Sequence, residues 1–165
     1  MITIRTIRIP EEVPAARRLI FEVVHFVYQD ETPLEEAIAG YQNEGWLNEI
    51  DDIQRNYLDQ NGTFLVTMDD ETLIGTGAIR RLEPGVCELK RLWLRPQYHG
   101  RGLGYQMLNE LMQVAREKEY QRMKLVTSAV YQKRAVDFYK KAGFRECPMY
   151  DTEPDPDQIA MEISL

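Results

Sequence analysis

Apolar and polar residues alternate from Ile2 to Ile9. Isoleucine stands at 2, 4, 7 and 9 with one slip, the two-residue period of a strand that Pro10 ends. Beyond Pro14 the period lengthens: Leu19, Ile20, Val23, Val24 and Val27 recur at helical spacing and predict an amphipathic helix to about Tyr28. Thr32-Pro33 reads as the start of a second helix carrying Leu34, Ala37, Ile38 and Tyr41. Gly40 and Gly45 break it, and a further helical piece is predicted through Trp46, Leu47, Ile50, Ile53, Tyr57 and Leu58. Turns at Asn61-Gly62, Asp69-Asp70 and Pro84-Gly85 then separate three strands, 63–67, 73–81 and 86–94, as an antiparallel meander. Gly75 and Gly77 weaken the middle strand and predict a bulge or a close backbone approach.

The second half alternates helix and strand. Leu103, Met107, Leu108, Leu111, Met112 and Ala115 mark a helix from 103 to about 119, and Met123 to Ala129 reads as a strand. Strand, helix, strand in this order favours parallel pairing of 88–94 with 123–128. Ala135, Phe138, Tyr139 and Ala142 form one helical face, with Lys140 and Lys141 suited to its C-terminus and Gly143 to its cap. The tail turns through Pro148, Pro154 and Pro156. Ile159 to Leu165 is expected to finish the sheet as an edge strand, a surface on which a second copy could pair as a homodimer. The pattern is that of one α/β (α+β) domain over residues 1–165.

Composition narrows the function. Of 165 residues, 27 are acidic and 20 basic, a net charge of -7 that argues against a nucleic-acid partner. No apolar run approaches a membrane span and the N-terminus lacks the form of a signal peptide, so a cytoplasmic protein without a membrane partner is expected. Cys87 and Cys147 are too few and too far apart for a disulfide framework or a zinc site and read as reduced thiols. Residues 30–60 crowd carboxylates: Glu31, Glu35, Glu36, Glu44, Glu49, Asp51 and Asp52. They form either a solvated helix face or an acidic rim that attracts a cationic amine. His25, on or near the apolar face of the first helix, reads as a satisfied core residue.

The chemistry concentrates between Glu88 and Tyr105. A strand runs to Leu94, Arg95-Pro96 stops it, and Gly100, Gly102 and Gly104 lead into a helix. The first turn of a helix has backbone N–H groups without partners, and its dipole adds partial positive charge. Glycines let an anion approach those donors, so a pyrophosphate is the expected guest, with Lys90, Arg91, Arg95, His99 and Arg101 supplying positive charge nearby. No Gly-Lys-Ser/Thr follows, and Tyr105 stands where a dinucleotide fingerprint needs its third glycine.

What remains is Gln97-x-x-Gly100-x-Gly102 after a strand ending Leu-Trp-Leu-Arg-Pro. With the later run Ala135-x-x-Phe138-Tyr139-x-x-x-Gly143-Phe144, this resembles the GNAT N-acetyltransferase superfamily. The resemblance implies a GNAT-like mixed, bent sheet of about six to seven strands, split between the fourth and fifth and flanked by about four helices. It implies acetyl-CoA as co-substrate and no metal. Leu92, Trp93 and Leu94 would contact the pantetheine arm. Gln97 belongs to the motif, and the amides of His99, Gly100, Arg101, Gly102, Leu103 and Gly104 would hold the pyrophosphate. Ser128 and Gln132 would lie near the thiol end, glutamine standing where the family commonly has asparagine.

The implied activity is direct transfer of acetyl from acetyl-CoA to a primary amine of a small molecule or peptide. An alkyl ammonium must lose a proton before attack, and Glu88 is the candidate general base, against the plainer reading of a surface strand carboxylate. Tyr139 matches the family's proton donor to the departing thiolate, against the plainer reading of a core aromatic. An acidic rim would favour a polyamine, an aminoglycoside-like molecule or a basic peptide end over an amino acid. The alternative is an acyl-CoA-binding sensor without turnover, which needs neither Glu88 nor Tyr139.

Overall fold

A computed structural model describes residues 1–165. Strands β1 (Ile2–Thr6), β2 (Thr63–Asp69), β3 (Thr72–Glu83), β4 (Val86–Leu94), β5 (Arg122–Ser128), β6 (Arg145–Cys147) and β7 (Gln158–Ser164) build one mixed sheet. Its order is β1-β2-β3-β4-β5-β7-β6. The helices are α1 (Val13–Val27), α2 (Leu34–Asn43), the short α3 (Ile53–Asn56), α4 (Leu103–Glu117) and α5 (Lys133–Ala142). No helix is long and apolar enough to cross a membrane.

Because strand side chains alternate between faces, the sheet carries two cores. One face presents Phe64, Val66, Met68 and Ala78 to α1 and to Ile50, Ile53 and Tyr57. The other presents Leu65, Ile79, Cys87, Leu89, Met123 and Leu125 to α4 and α5. The fit against α4 is close at Gly77, where a Cβ would lie 2.8 Å from Leu111 Cδ1 and 3.0 Å from Met107 Cγ. The close approach expected of this strand is real.

Three expectations are corrected. The first strand ends at Thr6, because the chain turns there: the amide of Ile7 donates to Phe64 O and that of Arg8 to the Glu12 carboxylate. The helical piece expected through Trp46 to Leu58 is 3₁₀ turns at Asn48–Asp52 and Leu58–Gln60 around α3. Leu47 in the left-handed region and the Asp52 carboxylate capping Arg55 N interrupt it. Finally, Gln158–Ser164 is not an edge. It lies between β5, which it pairs along the whole strand, and three-residue β6, which becomes the edge. The pairing surface expected for a homodimer is therefore filled from within the chain.

The meander pairs β2, β3 and β4 as expected, with one irregularity that shapes the site. Thr76 faces Trp93 and Ala78 faces Lys90, so Arg91 and Leu92 together oppose Gly77. This is a β-bulge on the fourth strand, and Arg91 adopts φ 56, a left-handed conformation that an L side chain seldom takes. β4 and β5 pair in parallel only at Val86/Arg122, Cys87/Met123 and Glu88/Lys124. Past that point neither strand has the other as partner. The sheet splits.

Candidate active site

The split widens from a vertex at Glu88/Lys124 toward the ends of β4 and β5, and the loop after β4 lies at its wide end. A 3₁₀ turn at Pro96–Tyr98 delivers the chain to Gly100 and Gly102, at φ 79 and 77. A side chain at either glycine would be strained by its backbone even though nothing lies nearby. The amides of Gly100, Arg101, Gly102, Leu103, Gly104 and Tyr105 donate to nothing in the protein; the first bond of the helix is Gln106 N to Gly102 O. A run of unpartnered donors at the start of a fifteen-residue helix is the geometry that holds a pyrophosphate.

Two details of the loop differ from expectation. The amide of His99 donates to Pro96 O, so it is not part of the cradle. The positive charge is also sparser. Arg95 is paired with Glu22 at 2.6 Å and Arg91 with Glu49 at 2.5 Å, and burial pulls the His99 imidazole below its ordinary pKa. Arg101, lying over the Tyr98 ring, stays at the loop. Arg134, the second residue of α5, is close enough to His99 to push its pKa down too, and so brings a second guanidinium that sequence reading overlooked. Gln97 is exposed beside the loop, its carbonyl accepting from Arg101 Nη2 at 3.4 Å. Gly104 leaves room for the Phe138 ring, 3.3 Å from where a Cβ would stand.

Between loop and vertex, β4 offers backbone without a β5 partner. Leu92 packs toward α4 and α5, and Trp93 toward α1, where its indole Nε1 is buried without a hydrogen-bond partner. The Leu94 carbonyl lies 3.0 Å from His99 Nε2.

Ser128 ends β5 at the wide end, roughly 13 Å from the vertex at about 3.3 Å per residue, and Gln132 lies beyond it as the N-cap of α5. Both therefore lie away from Glu88, at the opposite end of the split. Both are fastened within the protein. Ser128 Oγ donates to the Asp157 carboxylate and accepts from Tyr131 N. Gln132 accepts from Thr127 Oγ1 at 2.8 Å and donates to Tyr28 Oη at 3.2 Å.

At the vertex, Glu88 is buried on the α1 face and is far from a free surface carboxylate. Tyr150, from the tail loop, donates its hydroxyl to Glu88 Oε2 at 2.7 Å; Arg80 Nε is 3.4 Å and Lys90 Nζ 3.9 Å from Oε1. Burial, then the Glu88 charge, hold the Tyr150 phenol well above its ordinary pKa, so it is a neutral donor. Beside it Glu49 takes Arg91 at 2.5 Å and the Tyr57 hydroxyl at 3.1 Å. Burial raises the Glu49 pKa but Arg91 outweighs it, leaving a net lowering. The strained backbone of Arg91 is thus fixed from both ends, by Glu49 and by Thr76 Oγ1 on its carbonyl.

Tyr139 sits across the sheet. It is buried among Phe138, Phe144 and the apolar residues of the α4/α5 face, burial raises its pKa, and its hydroxyl makes no hydrogen bond within the protein. Helix α5 starts at the wide end and runs back along β5, so Tyr139, six residues in, is carried roughly 9 Å toward the vertex. Cys87, the thiol nearest the vertex, is buried and its pKa is pushed up to about 12, which makes it a poor nucleophile. His25 is bonded to the Thr32 carbonyl at 2.6 Å, a satisfied histidine as read from the sequence.

The Acetyltransferase (GNAT) family model matches residues 24–144. An uncharacterized N-acetyltransferase of Schizosaccharomyces pombe is 28% identical over 166 residues, covering 99% of this chain and 95% of that protein. An IAA acetyltransferase of Azospirillum brasilense is 30% identical over 146 residues, covering 82% and 95%. Among solved structures, the PaiA N-acetyltransferase of Thermoplasma acidophilum in complex with coenzyme A is 26% identical. It superposes with a TM-score of 0.79 over 100% of this chain and 99% of that one. A GNAT-family acetyltransferase of Staphylococcus aureus, 18% identical over 99% of both chains with a TM-score of 0.82, shares the fold.

Proposed function

The chain belongs to the GNAT acetyltransferase family, and we propose that it transfers acetyl directly to an amine across the β4/β5 split. One observation carries this reading. The only gap in the ladder of the central strands opens onto the run of unpartnered amides from Gly100 to Tyr105. Those amides, with Arg101 and Arg134 beside them, would hold the pyrophosphate of acetyl-CoA. The unpaired edge of β4 would take the pantetheine arm, and Trp93 Nε1 leaves a donor on that strand without a partner. Acetyl-CoA, when bound, supplies a thioester at the vertex.

Glu88 and Tyr139 then flank the vertex from opposite faces of the sheet. Glu88 draws the proton from the acceptor ammonium, directly or through Tyr150, whose hydroxyl takes that proton on its oxygen as it passes its own to Glu88. The amine nitrogen bonds to the acyl carbon, whose developing oxyanion is met by a backbone N–H of β4. The C–S bond breaks, the departing thiolate takes the proton of Tyr139, the buried phenol that has no other partner, and the phenolate so formed takes the second proton that the nitrogen loses as the amide forms. No covalent enzyme intermediate is required.

Thermal unfolding with acetyl-CoA, CoA, ATP and NAD tests the donor. A ligand at a hundred times its dissociation constant adds about 2.7 kcal/mol, a shift of several degrees, expected for acetyl-CoA and CoA alone. Tyr139→Phe should lower kcat by about 100-fold while leaving CoA affinity intact. An equal rate in the variant would remove Tyr139 from the chemistry.

A further inference from the structure

Four of the seven carboxylates crowded into residues 30–60 are engaged within the protein. Glu35 is held by Arg18 at 2.6 Å, Asp51 by Arg17 and Glu49 by Arg91, and Asp52 caps the Arg55 amide. The vertex has the opposite sign. On its α1 face Arg80, Lys90, Arg91 and Lys124 surround Glu49 and Glu88. Each of these carboxylates already has an arginine, Glu49 from Arg91 at 2.5 Å and Glu88 from Arg80 at 3.4 Å.

Lys90 and Lys124 are left over. Lys90 Nζ comes no nearer to a carboxylate than 3.9 Å. Lys124 has no ion pair; its ammonium lies 5.7 Å from the Tyr150 ring centroid, on the ring that bonds Glu88. Glu162, opposite Lys124 on β7, is engaged by Arg122 and Arg145. Glu88 and Lys124 are register partners, so Lys90 lies diagonally across from Lys124 where the strands part. Burial lowers the Lys90 pKa, Glu88 and Glu49 oppose it, and Arg91 and Arg80 lower it further, so Lys90 is a half-buried cation in a cluster where its two carboxylates are shared with arginines.

We infer that the acceptor is a small amine that also carries a carboxylate, with its carboxylate between Lys90 and Lys124 and its amine toward Glu88 and Tyr150. Glu88 and Lys90 stand two residues apart on one strand face, roughly 7 Å along β4. A zwitterion answers both at once, ammonium to Glu88 and carboxylate to the lysines. A polyamine would set only positive charge against Lys90 and Lys124. This substrate class rests on the acetyl-transfer reading above; the products are an N-acetyl amino carboxylate and free thiol.

The test uses the whole protein saturated with CoA, titrated with free L-amino acids and β-alanine, with the matching amino acid amides, and with putrescine and spermidine. Thiol release from acetyl-CoA is followed on the same panel. At least one amino carboxylate should bind and be acetylated, with its amide about tenfold or more worse in kcat/KM. Lys124→Gln should raise KM for that carboxylate about tenfold and shrink the preference for the carboxylate over its amide in kcat/KM by about tenfold, and Lys124→Arg should restore the preference. Amides or diamines that bind as well as the carboxylates, or no carboxylate binding the CoA complex, would overturn the inference. The amide comparison uses the unaltered protein and stands whatever the variants do. Failure of acetyl-CoA and CoA to bind at all would strike the acetyltransferase reading, and this substrate class with it.

Discussion

At the wide end of the split the chain presents backbone: a 3₁₀ turn, two glycines in the left-handed region and the unpartnered start of α4. At the vertex it presents side chains gathered from far apart. Arg91 meets Glu49 across 42 residues of sequence, and Tyr150 meets Glu88 across 62. A backbone cradle depends on conformation, so almost any side chain that keeps the conformation is tolerated. A side-chain cluster depends on each charge having its counterpart, because a buried charge that loses its partner is costly. The donor end should therefore be more sensitive to backbone than to charge. The acceptor end should behave the other way.

The largest expected effect tests the vertex. Glu88→Gln keeps the volume and the bond from Tyr150 while removing the base and the charge facing Arg80 and Lys90. It should lower kcat by about 100-fold or more with an unchanged dissociation constant for acetyl-CoA, read by steady-state kinetics and calorimetry. A rate within a few-fold of the parent would leave Glu88 as scaffolding. Next is the loop. Gly102→Val forces a β-branched residue to φ 77, at a strain of about 1–3 kcal/mol, and should weaken acetyl-CoA by about tenfold or more while kcat at saturation holds. If it lowered kcat alone, loop and vertex would not be separable. Smaller again is Tyr150→Phe, which leaves the carboxylate of Glu88 in place but removes the hydroxyl; about a tenfold loss in kcat is expected if the proton passes through it.

That contrast also explains what could be read along the chain. The loop was legible because its information is local: Pro96 ends the strand, glycines at 100 and 102 supply the left-handed turns, and the apolar face of α4 begins at Leu103. The meander and the parallel β4/β5 pair were legible for the same reason. The Ile159–Leu165 run reads equally well as an edge or an interior strand, and what covers it is Arg145–Cys147, three residues too short to show a period. Nothing near Glu88 announces Tyr150, whose partner is set by the path of the tail. Glu35, Glu49 and Asp51 show in sequence as charge alone, whereas their arginines come from α1 and β4. The bulge at Arg91 was half visible, as Gly77 opposite it, but its place on the fourth strand follows from register.

The smallest expected effect on catalysis is none, and it comes from a charge pair remote from both ends. Arg5 on β1 grips Glu12 just before α1, with contacts at 2.9 and 2.6 Å, and holds its carboxyl at about 2 against the opposing effect of burial. The folded pKa lies below the ordinary value of 4.5, so the stabilisation is fully present above pH 4.5 and disappears as pH falls toward about 2. Glu12→Gln should cost roughly 1–2 kcal/mol in urea unfolding at pH 7, after allowance for solvent screening, and almost nothing near pH 2. At pH 7 and below its melting transition, kcat and both substrate constants should match the parent. A variant equally destabilised but kinetically silent separates loss of fold from loss of chemistry, so kinetic losses in Glu88→Gln and Gly102→Val can be assigned to the ends of the split where they act. If Glu12→Gln instead lowered kcat, β1 and α1 would be coupled to the vertex, and the two-ended division would give way to one cooperative face.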